Sequence, residues 1–401
     1  MNIVLVHDWL YTYVGSEKVV ESILRCLPVE KIYTLVDFLP EAKRSFLNNV
    51  PVQYSFLQYF PLARSLRRYC LPLMPLAIES FDVSSADLVI TSSSAIAKGI
   101  LTNADQLHVC YCHTPARYFW DLTNDYLRSA NLDKGLRGAL ARIMLQYMRL
   151  WDVVSANRVD YFVANSKYIA KRIWNTYRRE STVIYPPVNV ETFQMKSQKD
   201  TYYLTMSRLE SYKRVDLIVA AFAHLKKKLV VVGQGPELEK LKAQATSNVE
   251  ILGFQPDDVV IDLMQRARAF IFAAKEDFGI VSVEAQACGT PVIAFGQGGS
   301  LETVRGVFPG VKVDRDKTGI FFPEQTVQAL IEAINWFEKN HTRIEPAVCR
   351  QQAEHFSREI FERKFHELVK TRWNDFKEKG KSGIDPGPSS SSAKFPGLPI
   401  T

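Results

Sequence analysis

The residues of this chain best placed to do chemistry lie between Ala274 and Ala294. A strand-like run ends at Ala273, and a loop then presents Glu276, Phe278 and Gly279. A helix follows, with its free backbone N–H groups near Gly279, Ile280 and Val281, and with Glu284 facing back from its first turn. Helix N termini attract anions, because unpaired N–H groups and aligned peptide dipoles concentrate positive potential there. Two carboxylates beside such a site serve no purpose for phosphate alone. They make sense as acceptors for hydroxyls on the groups that flank a diphosphate.

Weaker candidates accompany this segment. Gly233-Gln-Gly235 follows a strand and opens a helix, but Leu238 stands where a dinucleotide fingerprint has its third glycine. A phosphate at that helix N terminus and a plain tight turn both remain open. Asp314-Arg-Asp316 has the form of a D-x-D metal motif, yet it precedes Lys317-Thr-Gly319 in what reads as a turn into a strand, and no metal role is assigned to it. No His and Cys cluster has zinc spacing. The six cysteines, Cys26, Cys70, Cys110, Cys112, Cys288 and Cys349, are scattered, which points to a reducing compartment. Cys110 and Cys112 share one face of an apolar strand and read as buried thiols.

Elements that can position these residues alternate along the chain. In the first half, Ile3–Val6, Asp87–Thr91, Leu107–Tyr111 and Tyr161–Ala164 read as short apolar strands, and Glu17–Leu27 has helical spacing. In the second half, strands are expected at 202–206, 229–232, 249–252, 269–273, 291–294 and 319–322, with helices at 215–225, 324–339 and 346–379. Continuous apolar strands separated by helices predict parallel sheets covered on both faces. The result is an α/β chain of two doubly wound domains in series. The boundary falls near Tyr185-Pro-Pro-Val188, giving a first domain over 1–187, a second over 188–350, terminal helices over 351–379 and a disordered Ser-rich tail over 380–401.

Length and composition agree. The 401 residues exceed one compact core, and 47% hydrophobic with 23% charged residues exclude a disordered chain, a coiled coil and a collagen-like fibre. The net charge of +7 suits phosphate-bearing ligands or an anionic membrane surface and does not by itself suggest nucleic acid. No signal peptide and no membrane-spanning run is expected. Residues 55–77 mix aromatic and aliphatic side chains with Arg64, Arg67 and Arg68. They read either as a helix packed on its own domain or as a surface that meets anionic lipid or a lipid-linked substrate.

Glu276-x7-Glu284, with Ala-x-Ala-x-Gly289-x-Pro291 behind it and the glycine turn Gly296-Gln-Gly298-Gly299, closely resembles glycosyltransferase family 4, the retaining enzymes of GT-B fold. The resemblance runs to about residue 370 and is greatest to bacterial mannosyltransferases of O-antigen and exopolysaccharide assembly. Ser207-Arg208-Leu209-x3-Lys213 resembles the family's cationic clamp on the donor diphosphate. Tyr111-Cys-His113-Thr-Pro115-x-Arg117-Tyr118 resembles the segment whose histidine contacts the donor sugar. Gly15 matches the family's glycine loop under the donor phosphate, although Val14 stands where a second glycine is common. Asp8 and Lys98 are expected near the acceptor, and Asn165-Ser166 forms a family-like turn that also reads as a helix cap.

The resemblance implies two Rossmann-like domains facing a central cleft. It implies catalytic roles for His113, Glu276, Arg208 and Lys213, and donor contacts from Gly15, Arg208, Lys213, Glu276, Phe278, Gly279, Ile280, Val281 and Glu284. It implies no metal and no cofactor beyond a nucleotide-sugar substrate. A hexose, mannose from GDP-mannose, would pass to a glycan or lipid-linked acceptor at the cytoplasmic face of the membrane, with peripheral contact through 55–77. The alternatives are a UDP-sugar donor, a GT-B epimerase and a non-catalytic glycan- or membrane-binding relative. The epimerases lack Glu-x7-Glu in this setting.

Overall fold

The computed structural model describes residues 1–60, 71–130 and 132–381. Part of the 55–77 stretch, at 61–70, and the tail at 382–401 lie outside the described residues. The strands of the first sheet are β1 (Ile3–His7), β2 (Val29–Thr34), β3 (Val52–Tyr54), β4 (Leu88–Ser93), β5 (Leu107–Cys112), β6 (Tyr161–Ala164) and β7 (Ser181–Val183). Those of the second are β8 (Tyr203–Met206), β9 (Leu229–Val232), β10 (Val249–Gly253), β11 (Ala269–Phe272), β12 (Val292–Phe295), β13 (Gly306–Val307) and β14 (Gly319–Phe322).

Both sheets are parallel throughout the described pairings. Their orders are β3-β2-β1-β4-β5-β6-β7 and β10-β9-β8-β11-β12-β14-β13. In each, the order reverses direction beside the first strand, at β1/β4 and at β8/β11. A crevice opens at such a switch point, at the C-terminal ends of the strands. The central strands are buried along their whole length, as β4 and β5 show, because helices cover both faces. Each sheet has separate apolar clusters on its two sides.

Periodicity alone did not reveal β2, β3, β7 and β13. In β2, Glu30 and Lys31 interrupt the apolar run, and the other three are edge strands of two or three residues. The expected helix over 346–379 is two helices, Pro346–Glu354 and Arg358–Lys381, broken at the turn His355–Ser357. That turn carries the chain back to the first domain. Val188 N–H donates to the Phe356 carbonyl at 2.9 Å, and Val188 pairs with Ser357, so the outgoing and returning segments run side by side.

The final helix then completes the first core. Phe361 and Phe365 stack at 5.5 Å and meet the buried Tyr111 ring edge-on at 5.6 and 6.2 Å. Arg25 pairs with Glu362 at 3.0 Å, and Arg358 with Glu21 at 3.4 Å, tying this helix to the helix Gly15–Cys26. Truncating Phe365, which is fully buried, leaves a cavity between the helix and the sheet. Phe365→Ala should therefore cost about 3–5 kcal/mol in urea unfolding.

Candidate active site

At the switch point of the first sheet, the ends of β1, β4 and β5 bring His7, Ser92 and His113 together. His113 Nε2 lies 2.8 Å from Ser92 Oγ. His7 Nδ1 lies 3.2 Å from both the carbonyl and the hydroxyl oxygen of Ser92. His7 Nε2 faces Glu17 Oε1 at 3.7 Å. Glu17 in turn accepts from the Val14 N–H at 3.1 Å and the Ser16 hydroxyl at 3.0 Å, which closes the first turn of the helix Gly15–Cys26. Burial works against charge on His7, but Glu17 outweighs it and raises the His7 pKa. Burial and the neighbouring His7 together lower the His113 pKa to about 3, so His113 is a neutral imidazole at any physiological pH. The Asn165 amide donates to the His113 carbonyl at 2.9 Å and fixes its backbone.

The second domain supplies the facing wall. Arg208 follows β8 on an exposed loop, and its guanidinium donates to the Tyr212 hydroxyl at 3.1 Å. Lys213 closes the short turn Ser211–Lys213 and donates to the Glu276 carboxylate. The helix Ile280–Ala287 begins after Gly279, which has φ +86°. Burial would raise the Glu276 pKa, but Lys213 and Arg117 outweigh it and lower it.

The two walls meet. A Cβ on Gly15 would lie 3.2 Å from Ile280 Cδ1, so the first turns of the helices Gly15–Cys26 and Ile280–Ala287 touch across the cleft. Lys18 donates to Glu284 Oε1 at 2.8 Å. Arg117 reaches Asp277 at 2.6 Å and Glu276 at 3.8 Å. Arg172 bonds Thr114 in its own domain and Asp277 in the other, the latter at 3.4 Å. The Ser166 hydroxyl donates to the Asp277 carbonyl at 2.6 Å, and Glu302 accepts from the N–H groups of Lys167 and Tyr168 at 2.8 and 2.9 Å. Ser166 also caps the helix Lys167–Tyr177 by accepting from the Ile169 N–H at 3.1 Å. The cap reading of Asn165-Ser166 and a place at the cleft therefore both hold.

Several expected site residues are held otherwise than the sequence suggested. Asp8 is buried, and its carboxylate accepts four backbone N–H groups, those of Ser94, Ala95, Ile96 and Ala97, at 2.5–3.0 Å. Lys98 is buried on Asp152, which also accepts from Trp120 and Tyr177 at 2.8 and 2.9 Å. Neither side chain is free to meet an acceptor, which corrects the expectation for both. The Phe278 ring packs between Tyr185 and Phe356, at 5.7 and 5.4 Å. Glu284 is the fifth residue of its helix rather than part of the first turn. Asp314 and Asp316 pair with Lys312 and Lys317 at 3.0 Å each, on an exposed turn. Among the described residues there is no group of three or more His, Cys, Asp or Glu arranged to hold a metal ion.

The glycine motifs act through close backbone packing. A Cβ on Gly233 or Gly235 would lie 1.9 or 2.5 Å from the Ser207 or Leu209 carbonyl oxygen, so that turn braces the loop carrying Arg208. A Cβ on Gly298 would lie 2.5 Å from the Glu276 carbonyl oxygen, and the Gly299 N–H donates to that same oxygen at 2.9 Å.

Comparison with known proteins agrees with this architecture. The family profile described as Glycosyltransferase Family 4 matches residues 14–192, and the one described as Glycosyl transferases group 1 matches 190–356. The chain belongs to glycosyltransferase family 4. It is 26% identical over 350 residues to the alpha-1,3/1,6-mannosyltransferase ALG2 of Kluyveromyces lactis, a match covering 73% of this chain and 66% of that protein. It is 29% identical over 189 residues to the D-inositol 3-phosphate glycosyltransferase of a Mycobacterium species, covering 41% and 43%. The matches thus span about two-fifths to two-thirds of the length of these relatives. Among solved structures, the sucrose-phosphate synthase of Thermosynechococcus elongatus superposes with a TM-score of 0.70 at 16% identity, over 94% of this chain and all of that one. Anabaena HepE in complex with UDP-glucose superposes with a TM-score of 0.63 at 19% identity, over 92% and 99%.

Within this family 4 chain, sequence reasoning missed Lys18, Arg117, Arg172, Asp277 and Glu302. Lone charged residues have no local pattern, and only the facing of the two domains gives them partners. One signal was available for Arg117, which stands four residues after His113 in the motif already singled out.

Two predictions follow from this geometry. Gly298 has φ +68° as well as the close carbonyl, whereas Gly310, at φ +89°, has open space around its Cβ position. Gly298→Ala should cost about 1–3 kcal/mol and exceed the cost of Gly310→Ala in parallel urea melts. The second concerns acid. His113 titrates at about 3 and the buried His108, by desolvation, at about 4, against ~6.5 in an unfolded chain. Between those values the unfolded state binds more protons, so stability is lost as pH falls from ~6.5 toward 4, by up to about 1.4 kcal/mol per pH unit for each histidine. His108→Gln should flatten the decline in Tm between neutral pH and pH ~5.

Proposed function

We propose that this chain is a retaining, metal-independent mannosyltransferase that moves mannose from GDP-mannose to a lipid-linked glycan in cell-surface polysaccharide assembly. The observation that carries the reading is the convergence of Arg208, Lys213, Glu276 and the N terminus of the helix Ile280–Ala287 on one wall, with neutral His113 and the N terminus of the helix Gly15–Cys26 on the other. The similarity to ALG2 supports mannose as the sugar.

The diphosphate meets the N terminus of the helix Ile280–Ala287, where Arg208, Lys213 and the N–H groups of Gly279, Ile280 and Val281 stabilise the charge that grows as it leaves. Glu276 accepts from sugar hydroxyls, His113 contacts the sugar from the opposite wall, and Glu284 accepts from the ribose. The bond from the anomeric carbon to phosphate breaks as the acceptor oxygen attacks the same face, through an oxocarbenium-like state. The acceptor's proton passes to the departing phosphate oxygen, so no protein nucleophile is needed. Closure of the two walls excludes water and limits hydrolysis.

The test is thermal stabilisation by GDP, UDP and ADP in the presence of EDTA. GDP at 100 times its Kd should add about 2.7 kcal/mol, with no effect from the other two. Stabilisation by UDP alone would overturn the GDP-mannose assignment, and no stabilisation by any would overturn the nucleotide-sugar reading. Arg208→Ala should lower mannosyl transfer about 10²–10³-fold in kcat, the usual scale for removing one group that stabilises developing charge.

A further inference from the structure

The helix Gly135–Ala156 carries a second apolar face, turned away from the core. Leu136, Leu140, Ile143, Tyr147, Leu150 and Val154 are all exposed, Leu136 by 85% and Leu140 and Ile143 by 66% each. Their spacing places them within an arc of about 80° at ~100° per residue, one continuous stripe along the 22-residue helix. The face turned inward packs Met144, Leu145, Met148 and Trp151 on the core, beside the buried Asp152 that is spent on Lys98. That inner face is the ordinary one for a surface helix, so the outer stripe is surplus to the core. Single exposed apolar side chains are ordinary, but a continuous stripe marks a contact surface.

We infer that this helix lies flat on an anionic phospholipid bilayer, with its outer stripe in the headgroup region. This deepens the proposed function by giving the enzyme direct access to a lipid-linked acceptor. Charge selects the occupant. Arg137 and Arg142 flank the stripe on opposite sides, Lys134 precedes it, and all three are exposed. The helix has one acid, Asp152, and that is buried. A second copy packed stripe to stripe would bring the same cations with no acid on the helix to meet them, whereas an anionic lipid surface complements them. An apolar stripe bordered by Lys and Arg is the pattern of helices that lie in the interface plane. No helix among the described residues is long and apolar enough to cross a membrane. The stripe also borders the helix Met74–Glu79, whose Glu79 accepts from Trp151 at 2.8 Å and whose Leu76 is exposed.

The test is co-sedimentation of the full chain with phosphatidylcholine vesicles, with and without phosphatidylglycerol. The anionic vesicles should bind about tenfold or more tightly, less so at high salt. Leu140→Ser/Ile143→Ser should weaken that binding about tenfold or more while Tm and nucleotide stabilisation stay unchanged. Equal binding of wild type and double variant overturns the inference, as does failure of wild type to bind anionic vesicles. A dimer that the double variant converts to monomer also overturns it, in favour of self-association. A protein that binds vesicles but is stabilised by no nucleotide fails the functional reading alone.

Discussion

The cleft is centred on one partly buried ion pair, Arg117 of the first domain on Asp277 of the second. Both side chains are only 16% exposed. Removing either would strand the other's charge away from water, which costs far more than a surface pair is worth. Around this pair the other cross-cleft contacts fall into place, with Arg172 on the same carboxylate, Ser166 on the Asp277 carbonyl and Lys18 on Glu284. The segment from Glu276 to Glu284 is therefore a seam as well as one wall of the site. Its carboxylates and carbonyls are partners for the opposite domain.

That double duty shapes the surrounding loops. The Glu276 loop is fixed from behind by backbone contact with Gly298 and Gly299, and the Arg208 loop by Gly233 and Gly235. Side-chain functions at the cleft thus rest on glycines that have no chemistry of their own. The same economy holds in the first domain, where Asp8 uses its whole charge to gather four N–H groups of the turn after β4. With that turn fixed, Ser92 is placed between His7 and His113.

The fold was legible wherever the pattern was local. Apolar runs such as Leu229–Val232 and Leu107–Tyr111 announced buried parallel strands. Strands with charges inside them, such as β2, or of two or three residues, such as β13, were not, because their pairing depends on neighbours distant in sequence. The candidate site was drawn from Glu276-x7-Glu284 and the residues that match its family. The partners of those residues were not legible, since nothing near Lys18 in sequence points to Glu284. Asp8 and Lys98 were misread because a buried charge and a reactive charge look alike until burial is known. The helix Gly135–Ala156 is apolar on two sides, and periodicity does not say which of them meets the core.

The side-by-side crossings at Val188 and Ser357 bear on how the chain is made. The first sheet emerges early from the ribosome, yet Phe361, Phe365 and Val369, which fill one side of its core, are synthesised after the whole second domain. At about 5–20 residues per second, the nascent first domain waits roughly 10–35 seconds with that apolar surface uncovered. The cell must shield Tyr111 and its neighbours through that interval, and the last described helix to be synthesised is the one that seals the first domain.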